Sequence, residues 1–243
     1  MSETARIEAP PASIRPAEVA LLASVFVVAA CGLVYELAAG TLASYLLGDS
    51  ILQFSTVIGA YLFAMGIGSW LSRFFERQLV AHFLRIELLV GLIGGLMPTA
   101  LFAMQGAATA SFRFALYALV LAVGILVGLE IPLVMRILKR HAGGGLKTLV
   151  SQVLTFDYLG ALAVSIAFPL LFVPQLGLIR TGAFFGLLNA GVAIWALVLF
   201  RAEVRRVSAQ ALACAFTVAA LAAAFGFSAP ATSGASAALA AGR

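Results

Sequence analysis

Long apolar runs broken by short polar turns dominate the chain, and the breaks leave seven stretches. They cover about 18–47, 51–73, 79–104, 111–138, 148–173, 178–200 and 208–227. Each is close to or above the ~20 apolar residues that a helix needs to cross hydrocarbon. The pattern predicts an all-α fold, a polytopic transmembrane helix bundle of about seven helices over residues 18–228. The seventh stretch is alanine-rich and less hydrophobic. Residues 1–17, with Pro10, Pro11 and Pro16, read as a disordered N-terminal tail, and 229–243 as a flexible C-terminal tail. The first apolar run is too long for a signal-peptide core and lacks a cleavage site, so it is kept as a span.

Turn chemistry agrees with these divisions. Gly48-Asp49-Ser50 separates the first two stretches, and Ser50 with Gln53 matches a capping box opening the second helix. Pro174 and Gly177 mark a short turn between the fifth and sixth. Gly143-Gly144-Gly145 has no strand before it, so it reads as a linker and not a phosphate-cradling loop.

Small residues recur four apart, a spacing that lines them along one helix face. Gly32 and Gly40 flank Glu36 in the first stretch, and Ala60, Ala64 and Gly68 follow in the second. Gly91 and Gly95 repeat the pattern in the third stretch, Gly124 and Gly128 in the fourth. Such faces let helix backbones approach closely in a membrane.

Composition narrows the class without changing it. Hydrophobic residues make up 63% of the 243 and charged residues 10%, against roughly 25% charged in soluble domains. The net charge of +5 gathers in alternate loops: Arg73 and Arg77, then Arg136, Lys139, Arg140 and Lys147, then Arg201, Arg205 and Arg206. That is the signature of cytoplasmic loops, and it predicts a multi-pass protein of the inner membrane with a cytoplasmic N-terminus. The charge therefore points to a lipid bilayer as partner and not to nucleic acid. Cys31 and Cys214 lie in apolar stretches and read as core residues; His82 and His141 each sit alone, so no metal site is expected.

Four acids fall inside predicted spans: Glu36, Glu87, Glu130 and Asp157. Glu87 is the weakest candidate, because Arg85 beside it suggests an interfacial ion pair. Glu130 lies about 9 Å and Asp157 about 15 Å from the basic loop between their helices, at 1.5 Å per residue. They are expected to share a pocket if helix rotation permits. Pro132 removes an N–H and frees the carbonyl of Gly128, a helix break tolerated at membrane depth only beside protein or a cavity. Tyr35, Tyr61 and Tyr158 are placed to wall such a site, which favours a cation or proton. The competing reading makes the acids helix glue, hydrogen-bonded to these tyrosines and to Thr56.

GLVYE in the first stretch, the GDS turn, FSTVIGAYLFAMGIGSW, GLEIPLVMR and FDYLGAL together resemble the membrane domain of bacterial membrane-bound polyamine aminopropyltransferases, the spermidine synthase family. The resemblance runs over residues 20–228. It implies a soluble Rossmann-like domain that transfers an aminopropyl group from decarboxylated S-adenosylmethionine to putrescine. The glycine-rich cofactor loop and aspartate base of that domain have no counterpart in these residues, so no cofactor and no catalytic residue is assigned. The resemblance implies a membrane module with a separate or missing catalytic domain as partner. Glu36, Glu130 and Asp157 would hold or sense polyamines such as putrescine and spermidine. A stand-alone cation, polyamine or proton-coupled transporter and a structural membrane subunit stand as alternatives.

Overall fold

The computed structural model describes residues 16–141 and 145–227; the predicted tails lie outside the described residues, save that helix already begins at Pro16. Gly143 and Gly144 of the expected linker also lie outside them. The described chain is built of seven helices: α1 (Pro16–Leu47), α2 (Ser50–Leu71), α3 (Leu79–Ala103), α4 (Thr109–His141), α5 (Leu146–Ala167), α6 (Val173–Leu199) and α7 (Val207–Phe227). No strand occurs among the described residues.

Six continuous helical stretches are long and apolar enough to cross a membrane, the longest running from Lys147 to Leu199 over 53 residues. A straight helix of that length would reach about 80 Å, against a hydrocarbon core of about 30 Å. It is instead two legs. A π-helical turn spans Phe168–Phe172, and Gly177 then leaves helical geometry at φ 73°, a left-handed conformation that glycine reaches without steric cost. The fold-back is visible in Phe172, whose ring lies 4.9 Å from that of Phe185. An unbroken helix would hold those residues about 20 Å apart.

α1 runs through the middle of the bundle, in contact with α2, α3, α4, α5 and α6. Val34, Tyr35, Ala38, Ala39, Leu42 and Ala43 are completely buried along it. α2 packs on α4, and α3 on α6, while α7 covers the outer side of α3 and α6. Both pairs meet along the small-residue faces. A Cβ on Gly128 would strike the backbone of Met65, and one on Gly68 the carbonyl of Ile125; Gly124 faces Ala64. Across the other seam a Cβ on Gly91 would come within 2.8 Å of the Gly186 carbonyl, and Gly95 faces Gly182 and Gly186. In α1, Gly32 fits under Val127 and Gly40 under the ring of Phe54. Large side chains such as Leu62, Phe63, Leu162, Ile166, Leu170, Trp195, Val198 and Phe216 are exposed, as hydrocarbon rather than water requires.

The ends are tied by polar contacts. At the basic end Arg136 donates to the carbonyls of Ser72 (2.7 Å) and Phe75 (3.2 Å), and Arg140 to that of Glu76 (3.1 Å). Both brace carbonyls just past the C-terminus of α2. His141 pairs with Glu203 at 2.7 Å and packs against Phe200, which holds α4 to the α6–α7 connection.

Two local expectations are corrected. The cap of α2 is Asp49, whose carboxylate accepts from the Leu52 amide. Ser50 is already helical, and its hydroxyl meets that of Ser44. Pro132 does not break α4, which passes through it without interruption. The proline still deprives the Gly128 carbonyl of its intrahelical donor, but neighbouring turns keep the helix continuous.

Candidate functional site

The centre of the bundle holds a polar cluster drawn from six helices. Glu87 of α3 is completely buried, and its Oε2 accepts a 3.0 Å hydrogen bond from Nδ2 of Asn189 on α6. The Oδ1 of Asn189 in turn accepts from the Tyr35 hydroxyl of α1 at 3.3 Å. One turn earlier on α1, the Cys31 thiol donates to the Phe185 carbonyl. Gly94 of α3 makes room for Tyr35, since a Cβ there would press into its ring.

Glu130 of α4 is 1% exposed. Neither of its oxygens has a hydrogen-bond partner, and neither does Oε1 of Glu87. Glu130 lies within electrostatic reach of both Glu87 and Asp157. Tyr61 of α2 lies within electrostatic reach of Glu36 and Glu130, and its hydroxyl donates to the Gly32 carbonyl at 2.9 Å. Glu36 and Asp157 are each half-buried. Four carboxyl groups thus lie in or beside the cluster, those of Glu87 and Glu130 buried and those of Glu36 and Asp157 half-buried.

Glu87 therefore does not pair with Arg85, contrary to the expectation from their proximity. Two residues on a helix lie about 200° apart, so Arg85 faces outward and Glu87 inward. Tyr158 is also displaced from its expected role: it is 67% exposed and points away from the cluster. Of the expected hydroxyl-to-carboxyl bonds, none reaches Glu87 or Glu130. Tyr35 and Tyr61 bond other groups, and Thr56 donates to the Leu52 and Gln53 carbonyls while accepting from Tyr117. Asn189 and Cys31 join the cluster although the sequence marked neither as a site residue. A carboxamide among Gly182, Gly186 and Ala190 was the one available signal.

Chemically, no Arg or Lys ion-pairs with any of these acids among the described residues. An enclosed carboxylate without donors is costly in a low-dielectric interior. Glu87 and Glu130 therefore require a proton or a cation as companion. Together the fold and these acids define a polytopic helical membrane bundle with a carboxyl-rich core.

The chain is similar to proteins named polyamine aminopropyltransferase. It is 59% identical over 198 residues to polyamine aminopropyltransferase 1 of Ralstonia nicotianae, covering 81% of this chain and 38% of that protein. It is 62% identical over 184 residues to polyamine aminopropyltransferase 2 of the same organism, covering 75% and 36%. With polyamine aminopropyltransferase of Leptospira interrogans it shares 54% identity over 178 residues, covering 73% and 35%. The chain thus spans little more than a third of the length of these relatives. No protein-family model matches it, and no solved structure matches it significantly.

Proposed function

We propose that this chain is the membrane module of a polyamine aminopropyltransferase system, anchored in the bacterial inner membrane, and that its buried acids hold polyamine or another cation. The identity of 54–62% to proteins of that name supports the connection to polyamines. The aminopropyl transfer itself is assigned to a catalytic domain that these residues do not supply, acting as partner. The gathering of Arg and Lys at one end supports a cytoplasmic basic end and N-terminus.

The observation that carries the cation reading is Glu130, enclosed with both oxygens unpartnered and within electrostatic reach of Glu87 and Asp157. A polyamine carries ammonium groups that would supply the missing charge and donors, with Tyr35 and Tyr61 adjacent for cation–π contact. The same geometry favours one second reading, a proton-coupled carrier, because a proton needs no cavity at the enclosed pair.

Equilibrium binding of radiolabelled putrescine and spermidine to the purified protein in detergent tests the proposal. It is run beside Glu36→Gln, Glu87→Gln, Glu130→Gln and Asp157→Asn. Saturable binding that falls at least tenfold in the Glu130 variant is expected, with smaller losses at the half-buried positions. Binding that survives neutralisation of all four acids sinks the reading. Absence of binding in a well-folded sample leaves protons as the cation, read by proton flux in liposomes.

A further inference from the structure

At the basic end, a cavity of about 360 Å³ opens between the start of α3, the α6–α7 connection and the start of α7, lined by Gln78, Arg85, Val204, Arg205, Arg206 and Gln210 among others. Three guanidiniums and two carboxamides line it, and no carboxylate does. Glu203, the acid nearest in sequence, is engaged with His141. Among the described residues, none of the three arginines takes part in an ion pair. Three like charges around one cavity repel one another unless an anion sits among them.

The position says which anion. Arg85 lies about 9 Å along α3 from Leu79, a depth at the boundary between headgroups and acyl chains. One turn further on the same face of α3, Leu89 is 44% exposed. A cationic cleft thus leads directly onto an apolar, outward-facing surface. A free phosphate would use only the cleft. A phospholipid uses both, with its phosphate among the arginines and its chains along α3. Gln210 is buried at the cavity and offers an amide donor to the same oxygens.

We propose that this cleft binds the phosphate headgroup of an anionic phospholipid, holding α7 and the α6–α7 connection against α3. The test is lipid binding by the full chain in detergent, measured by native mass spectrometry with phosphatidylglycerol, cardiolipin and phosphatidylcholine as separate probes and inorganic phosphate as the soluble control. The variants are Arg85→Gln/Arg205→Gln/Arg206→Gln and a charge-matched control, Arg77→Gln/Lys139→Gln/Arg201→Gln, at exposed positions of the same end. All six side chains are exposed, so both variants are expected to fold, which helical signal and monodisperse elution verify. The expected result is preferential retention of the anionic lipids, weakened about tenfold or more by the cleft variant and less than about twofold by the control. Equal loss in both variants would mean diffuse attraction to surface charge and overturns the proposal. So does retention of phosphatidylcholine as strong as that of the anionic lipids, or competition by millimolar phosphate that abolishes lipid retention. If the cleft variant proves misfolded, Arg206→Gln alone carries the test with the same two outcomes.

Discussion

At Glu87 a single hydrogen bond, to one of its two oxygens, separates a half-satisfied side chain from a bare buried acid. Asn189 supplies that bond and is itself held by Tyr35, so the three helices α1, α3 and α6 meet in one short relay. Asn189→Ala removes both bonds and is expected to lower stability by about 1–2 kcal/mol, the range for interhelical hydrogen bonds in membranes and for orphaned polar groups. Glu87→Gln keeps an acceptor for Asn189 and removes the need for a companion proton or cation, so its loss is expected to be well below that. Thermal unfolding of the two variants in detergent measures the difference. A Glu87→Gln loss equal to that of Asn189→Ala would show that the carboxyl group itself, and not the bond, stabilises the bundle. The sequence pointed away from Glu87 because Arg85 lies two positions off and Leu79 only eight. Linear proximity suggested an ion pair, and only the rotation of α3 shows that the two side chains diverge. Glu36, Glu130 and Asp157 were legible because a carboxylate deep in an apolar run is conspicuous from composition alone. Asn189 was not, since a carboxamide 102 positions from its partner leaves no periodic trace.

Helix pairing follows a different rule, in which absence of side chain is the signal. The spacing of Ala60, Ala64 and Gly68 in α2 and of Gly124 and Gly128 in α4 predicts close approach, and the structure seats those faces against each other. The α3–α6 seam uses Gly91 and Gly95 against Gly182 and Gly186 in the same way. Which face would meet which was not legible, because four-residue spacing defines a stripe without naming its partner. Gly128→Ala would drive a Cβ into the backbone of Met65, which cannot rotate away as a side chain can. Overpacking of this kind costs about 1–3 kcal/mol. Gly59 and Gly66 lie in the same α2 but have open space where a Cβ would sit. Gly59→Ala and Gly66→Ala are expected to be neutral or to stabilise by up to about 1 kcal/mol through helix propensity. Melting temperatures of the three variants, compared in one detergent, decide the matter; a loss at Gly59 as large as at Gly128 would mean that the seam is not where the structure places it.

For the whole molecule the decisive feature is the reversal at Gly177, since it fixes how many times the chain crosses. Seven crossings place the α3–α4 connection and the Gly177 turn on one side, and the three basic connections on the other. The distribution of Arg and Lys supports the proposal that this second side is cytoplasmic. Were α5 and α6 a single leg, the α6–α7 connection with Arg201, Arg205 and Arg206 would lie opposite the other basic loops. The arginine-lined cleft would then have to form across the membrane, although Arg85 and Arg206 line it together. Single cysteines at Ala107, Gln175 and Ala202, all exposed, separate these topologies in a background carrying Cys31→Ala and Cys214→Ala. A membrane-impermeant maleimide added to intact cells is expected to label Ala107→Cys and Gln175→Cys. Ala202→Cys should stay unlabelled until the cells are opened. Labelling of Ala202→Cys from outside, with Gln175→Cys silent, would remove the reversal. With it would go the shared end that joins the cationic cleft to the basic loops.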